Sequence, residues 1–164
     1  MNILLVDDDR NLVTTLSYGL RKAMGKAISV SICFNDSEAL SMLATQKFDA
    51  VISDFNMPGV SGLELLNKIR PDHRDMILVL ITAYGTDALE EEVHRLGIGY
   101  ITKPFELARL VQILHGLIRG AETAKTKAGT ENTPRVLIPG PDGNPDLGRL
   151  MGKLRADADP GVPN

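Results

Sequence analysis

Cysteine is almost missing from this chain: Cys33 stands alone, so no internal disulfide can form. It follows Ile28-Ser29-Val30-Ser31-Ile32 and is expected to be a small buried residue rather than a reactive thiol. No apolar run approaches the roughly 18–20 residues of a membrane span. The start, Met1-Asn2-Ile3, lacks a basic n-region and a cleavage site, and Ile3 already opens a strand. An excess of positive charge is lacking too: 18 Lys and Arg face 21 Asp and Glu, for a net charge of −3. That balance speaks against a broad nucleic-acid-binding face. Together these absences point to a cytoplasmic protein of a reducing compartment, with no membrane association.

What is present is enough for one well-buried domain and little more, at 164 residues. Four short apolar runs each end on a polar residue with chemistry to do. Ile3-Leu4-Leu5-Val6 runs into Asp7-Asp8-Asp9, and Ala50-Val51-Ile52-Ser53 into Asp54. Ile77-Leu78-Val79-Leu80-Ile81 runs into Thr82, and Tyr100-Ile101-Thr102 into Lys103. Runs this short and apolar read as strands buried on both faces of a parallel sheet. Ligands of open parallel α/β sheets bind beyond the carboxyl ends of the strands. The four endings are therefore expected to meet round one pocket.

The pattern alternates strand and helix five times between Asn2 and about Arg119. Strands are predicted over 2–6, 28–33, 49–53, 76–81 and 98–102. Leu12, Val13, Leu16 and Leu20 form the stripe of a first helix, which Gly25 can stop. Asn35-Asp36-Ser37 followed by Glu38 is cap chemistry for a second. A third opens near Gly62, with Leu63, Leu66 and Ile69 on one face, and ends at Pro71. A fourth runs from Thr86-Asp87 to Gly97, and a fifth follows Pro104 with Leu107, Leu110, Val111, Leu114, Leu117 and Ile118. Such alternation with short links predicts a three-layer α/β sandwich with right-handed crossovers. Composition shifts near Ala121, beyond which lie six of the nine prolines. Residues 121–164 read as a Pro/Gly-rich tail, or as a docking segment. Within it Val136-Leu137-Ile138 is β-prone, and Leu147, Leu150, Met151 and Leu154 fit a short amphipathic helix over 146–156.

The endings carry distinct chemistry. Asp9 fits helix capping, whereas Asp7 and Asp8, beside Asp54 on an adjacent strand, fit binding of a hard cation such as Mg²⁺. Asp54 precedes Phe55-Asn56-Met57-Pro58-Gly59 and could simply favour that turn. With two aspartates and a lysine nearby, it reads better as a nucleophile that accepts a phosphoryl group. Thr82 can cap a helix or donate to a phosphoryl oxygen, and small Ala83 leaves the pocket open. Lys103 is a solvated charge or a site residue, and Pro104 marks a bond where a cis peptide can occur. Read from the strand pattern alone, Tyr100 is a half-buried core aromatic.

Together, Val6-Asp7-Asp8, the segment Val51 to Gly62, Ile81-Thr82-Ala83 and Lys103-Pro104-Phe105 resemble the receiver domain of two-component response regulators. The resemblance covers about residues 2–120, with the rest a short tail. It implies a CheY-like, flavodoxin-like sheet of order 2-1-3-4-5 with helices on both faces. It implies a phosphoacceptor at Asp54. Mg²⁺ is expected on Asp8 and Asp54, on the Asn56 backbone carbonyl, and on Asp7 through water. Thr82 and Lys103 match the phosphoryl-sensing pair, Tyr100 the aromatic switch, and Asn56 and Tyr84 positions that tune acyl-phosphate lifetime. Expected partners are a sensor histidine kinase or phosphotransfer protein, a downstream protein of unknown identity, and a second copy in a phosphorylation-dependent dimer. No output domain such as a helix-turn-helix fits after residue 120, so direct DNA binding is not expected. Nor is enzyme activity expected beyond self-phosphorylation and slow autodephosphorylation. The competing enzyme reading is a haloacid-dehalogenase-like Mg²⁺-dependent phosphohydrolase, whose opening pattern Asp7-x-Asp9 fits. It lacks the late acidic pair such chemistry needs and leaves Asp54 without a role. A pseudo-receiver that only binds partners is a third reading, against which the complete acidic, hydroxyl and lysine set speaks.

Overall fold

A computed structural model of the chain describes the backbone of residues 1–127 and the side chains of residues 1–120. The elements are β1 (Asn2–Val6), α1 (Arg10–Met24), β2 (Ser29–Cys33), α2 (Asp36–Thr45), β3 (Ala50–Asp54) and α3 (Gly62–Ile69). They continue as β4 (Ile77–Thr82), α4 (Asp87–Arg95), β5 (Gly99–Thr102) and α5 (Leu107–Lys127). One 3₁₀ turn, Gly25–Ala27, leads from α1 to β2, with Gly25 in the left-handed region at φ 66.

All five strands pair in parallel, in the order β2-β1-β3-β4-β5. The chain leaves β1 in one direction to form β2, then returns across it to form β3, β4 and β5. That reversal opens a crevice between the carboxyl ends of β1 and β3. Side chains alternate across the sheet, and both sets are buried. Leu4, Val6, Val51, Leu78 and Leu80 pack with Ala39 of α2, Leu65, Leu66 and Ile69 of α3, and Val93 of α4. On the opposite face α1 and α5 pack against each other, with Val13, Leu16, Leu20, Leu110, Ile113 and Leu114 buried. Gly99 admits this packing closely: a Cβ there would lie 2.8 Å from a Leu117 methyl and 3.3 Å from Val79.

Caps set the helix starts. Asp9 Oδ1 accepts from the N–H groups of Asn11 (2.9 Å) and Leu12 (3.1 Å), and Asn35 Oδ1 accepts from Glu38 (2.8 Å). Ser61 and Glu64 form a reciprocal capping box on α3. Cys33 is buried as expected, and burial pushes its thiol pKa up to about 12.

Several element ends differ from the sequence pattern by a residue or more. β3 and β4 run one residue further than predicted and take in Asp54 and Thr82. The ladder depends on backbone bonding rather than on apolar side chains, and it persists there: Phe55 N–H donates to Ile81 O at 2.7 Å. Helix α5 also crosses the composition shift at Ala121 and reaches Lys127. Ala121, Glu122, Ala124 and Lys125 are good helix formers, so the polar stretch continues the helix. The β-prone run Val136–Ile138 and the helix expected over 146–156 lie outside the described residues. Leu66 is fully buried between α3 and the sheet. Leu66→Ala is expected to cost about 2–5 kcal/mol in urea unfolding followed by circular dichroism.

Candidate functional site

The sheet order brings the carboxyl ends of β1 and β3 side by side. Asp7 and Asp54 are each 5% exposed, while Asp8 remains open to solvent. One carboxylate oxygen from each of the three lies within 4.8 Å of the other two. Lys103, at the end of β5, reaches across β4 to this cluster. Its Nζ donates to Asp54 Oδ1 at 2.6 Å and to Asp7 Oδ2 at 3.4 Å. The Lys103–Pro104 bond is cis. The remaining carboxylate oxygens are held by backbone amides. Asp54 Oδ2 accepts from Asn56 N–H at 2.8 Å, and Asp7 Oδ1 from Asp9 N–H at 2.9 Å.

Electrostatics follow from this crowding. Burial holds the Asp7 carboxyl above its usual range, and the Asp54 charge adds to that. The Asp9 amide and Lys103 act in the opposite direction without cancelling it. Burial works against the Lys103 ammonium, but hydrogen bonds and charge from Asp54 and Asp7 outweigh it and raise its pKa. Three carboxylates and one ammonium leave an excess of negative charge. The donor set is all oxygen and partly open to solvent, which suits a hard divalent cation that keeps some of its waters.

Thr82 and Lys103 are joined through the backbone, Lys103 N–H donating to Thr82 O at 2.6 Å. The Thr82 side chain is fully buried, and its hydroxyl bonds locally: it accepts from Tyr84 N–H (3.1 Å) and lies 3.2 Å from Tyr84 O. Ala83 and Tyr84 are exposed at the pocket's edge, as is Asn56. Tyr100 sits half-buried on the outer side of β5, packed against the α2–α4 core. Its hydroxyl is already buried while the Thr82 hydroxyl stays on Tyr84. Burial of this ring therefore does not wait for Thr82 to move. Asp9 is a cap outside the cluster, as its spacing implied.

Sequence reasoning missed the positioning role of Gly62, read there only as a helix start. A Cβ at this position would lie 1.9 Å from the Asp54 carbonyl oxygen and 2.8 Å from Ser53 Oγ. The bare Cα lets α3 begin directly against the strand end that carries Asp54, and Gly62 N–H donates to Phe55 O at 2.9 Å. The available signal was a glycine opening a helix, a place where most residues have better propensity.

A family model for the response regulator receiver domain matches residues 3–115. The chain belongs to the response regulator receiver family. It is 37% identical over 123 residues to the transcriptional regulatory protein QseB of Haemophilus influenzae, covering 73% of this chain and 53% of QseB. The chain spans about half the length of several curated relatives it matches. Among solved structures, the non-phosphorylated HemR receiver domain of Leptospira biflexa matches with a TM-score of 0.64 and 29% identity, over 71% of this chain and 93% of that receiver domain. The response regulator TrrA of Thermotoga maritima, solved in complex with Mg²⁺-BeF, matches with a TM-score of 0.60 and 29% identity. That match covers 71% of this chain and 97% of TrrA. As a receiver domain the chain is a phosphoacceptor signalling module of two-component type. The phosphohydrolase reading falls: Asp9, the second residue of its opening pattern, is spent on capping α1, and Asp54 is central to the cluster.

Asp7 supplies a test of the electrostatics. Its raised pKa means that, above both its folded and unfolded values, the ionised carboxyl opposes folding; that cost shrinks as pH falls through the folded value and is gone below the unfolded value. In chelator at neutral pH, Asp7→Asn is therefore expected to raise the unfolding midpoint. In millimolar Mg²⁺ the advantage is expected to shrink or reverse, because Asp7 is one of the three clustered carboxylates that could hold the ion. Unfolding curves in the two buffers check both signs. Gly62→Ala is expected to destabilise by about 1–3 kcal/mol in the same assay, as a group forced into occupied space does.

Proposed function

We propose that Asp54 is the phosphoacceptor of this receiver and that Asp7, Asp8 and Asp54 bind Mg²⁺. The observation that supports this most directly is the Asp54 carboxylate, fixed at both oxygens. Lys103 holds Oδ1 at 2.6 Å and the Asn56 amide holds Oδ2 at 2.8 Å, in a pocket open through Asp8. A nucleophile fixed in this way loses little freedom on reaction. A Mg²⁺ ion on these carboxylates, with the Asn56 carbonyl as a further oxygen ligand, supplies positive charge against the phosphoryl oxygens. The Mg²⁺-BeF complex of the similar TrrA supports the choice of ion.

The donor is a phosphohistidine of a sensor kinase or phosphotransfer protein. An Asp54 oxygen attacks phosphorus, the N–P bond breaks, and the imidazole leaves with its electron pair. The phosphoryl group of the acyl phosphate carries roughly −1.5 to −2 charges in place of the single negative charge of the Asp54 carboxylate. Lys103 then pairs with a phosphoryl oxygen, and the Thr82 hydroxyl leaves the Tyr84 backbone to donate to another. The balance between the buried and exposed positions of Tyr100 shifts with the new charge, and the outer face formed by α4, β5 and α5 changes its population of shapes. That face binds a downstream protein or a second phosphorylated copy. Asn56 and Tyr84, both exposed beside the pocket, tune how fast water attacks the acyl phosphate. Slow autodephosphorylation is the only turnover.

Incubation with Mg²⁺ and acetyl phosphate is expected to add one phosphoryl group per chain by intact mass, and EDTA to prevent it. Asp54→Ala is expected to lose the label. Label at wild-type yield in that variant would remove Asp54 from its role, and sustained hydrolysis of an added phosphate ester would mean a different enzyme altogether.

A further inference from the structure

Position 85 explains how Tyr100 comes to be buried while Thr82 keeps its resting bonds. Gly85 lies in the loop between β4 and α4, three residues after Thr82. A Cβ built on it would lie 2.7 Å from Tyr100 Oη and 3.1 Å from a Thr102 methyl. The first distance is closer than a methyl group and a phenol oxygen can approach. The second is tight contact that a shift of a few tenths of an ångström relieves, so the larger movement falls to the phenol. The φ of Gly85 is not positive, so the backbone itself would accept another residue. Only the missing side chain matters here.

The buried position also carries a cost. Tyr100 Oη is shielded from solvent and has no hydrogen-bond partner among the described residues. A buried hydroxyl left unpaired loses the bonds that water would give it in an exposed position. The ring gains by packing against the α2–α4 core, and the hydroxyl loses by being there. These two contributions act in opposite directions. A small steric change then moves the population.

We propose that Gly85 is a positioning residue for the Tyr100 switch: its lack of a side chain admits the phenol, and a single methyl group there would drive Tyr100 outward. This rests on the reading of Tyr100 as the relay of phosphorylation. Among the described residues Gly85 makes no hydrogen bond to the carboxylates or to Lys103, and the atom a side chain there would meet first is Tyr100 Oη.

The chain has three tyrosines and no tryptophan, which suits incorporation of 3-fluorotyrosine into the full-length protein. The ¹⁹F spectrum should hold three resonances, and Tyr100→Phe identifies the third by deleting it. Tyr18 and Tyr84 are 70% and 72% exposed and serve as references for the H₂O-to-D₂O solvent shift. In the wild type the Tyr100 shift is expected to be well below that of the references. In Gly85→Ala it is expected to rise to match them. The double variant Gly85→Ala/Tyr100→Phe is expected to recover most of the thermal stability lost in Gly85→Ala, because the clashing oxygen is gone. A Gly85→Ala spectrum that keeps the buried signature overturns the proposal. So does a double variant no more stable than Gly85→Ala, which also covers the case in which the single variant folds poorly. The relay reading is tested separately in the wild type, by adding acetyl phosphate and Mg²⁺. A Tyr100 resonance unmoved by phosphorylation removes the relay, whatever Gly85→Ala does.

Discussion

Three carboxylates forced together against one ammonium form the constraint on which this molecule is organised. Like charges at this spacing repel, and burial of Asp7 and Asp54 removes much of the water that would screen them. Lys103 offsets one charge, at 2.6 Å from Asp54, and leaves the rest to be met from outside. Backbone amides of Asp9 and Asn56 hold the carboxylates at the rim. Gly62 keeps a helix start out of the space that Asp54 needs. The surrounding structure thus stores an electrostatic imbalance of the kind that a divalent cation relieves.

Reading that change requires groups that are close to the site but not consumed by it. Thr82 and Lys103 end neighbouring strands and are tied by a 2.6 Å backbone bond. Displacement of one is felt directly by the other. Thr82 in its resting state spends its hydroxyl on Tyr84, and Tyr100 occupies space beneath Gly85. These are weak, local and competing contacts. Strong ones would fix a single state, whereas weak ones are of the kind that a new charge nearby can shift.

Legibility differed sharply between kinds of residue. The stripe Leu12-Val13-Leu16-Leu20 and the run Ile77–Ile81 encode their own environments, because periodicity records which side meets the core. Asp9 announced its capping by its place before a helix. Asp54 and Thr82 looked like loop residues, because apolarity ends before the hydrogen-bond ladder does. The last turns of α5 were read as tail for a related reason: a helix can continue after its buried stripe has stopped. Gly62 and Gly85 were the least legible, since a glycine's use depends on what another segment places against it.

The sequence by itself determined the alternation of strand and helix, the polar residue at the end of each apolar run, and the membership of those endings in one chemical set. Such properties are local, written in periodicity and in residue type. Only the tertiary structure decided which carboxylate oxygen Lys103 holds, that Thr82 turns its hydroxyl to Tyr84, and that Tyr100 lies buried against a glycine. Each of those depends on distances of a few ångström between segments far apart in the chain. Packing fixes such distances, and no single segment contains them.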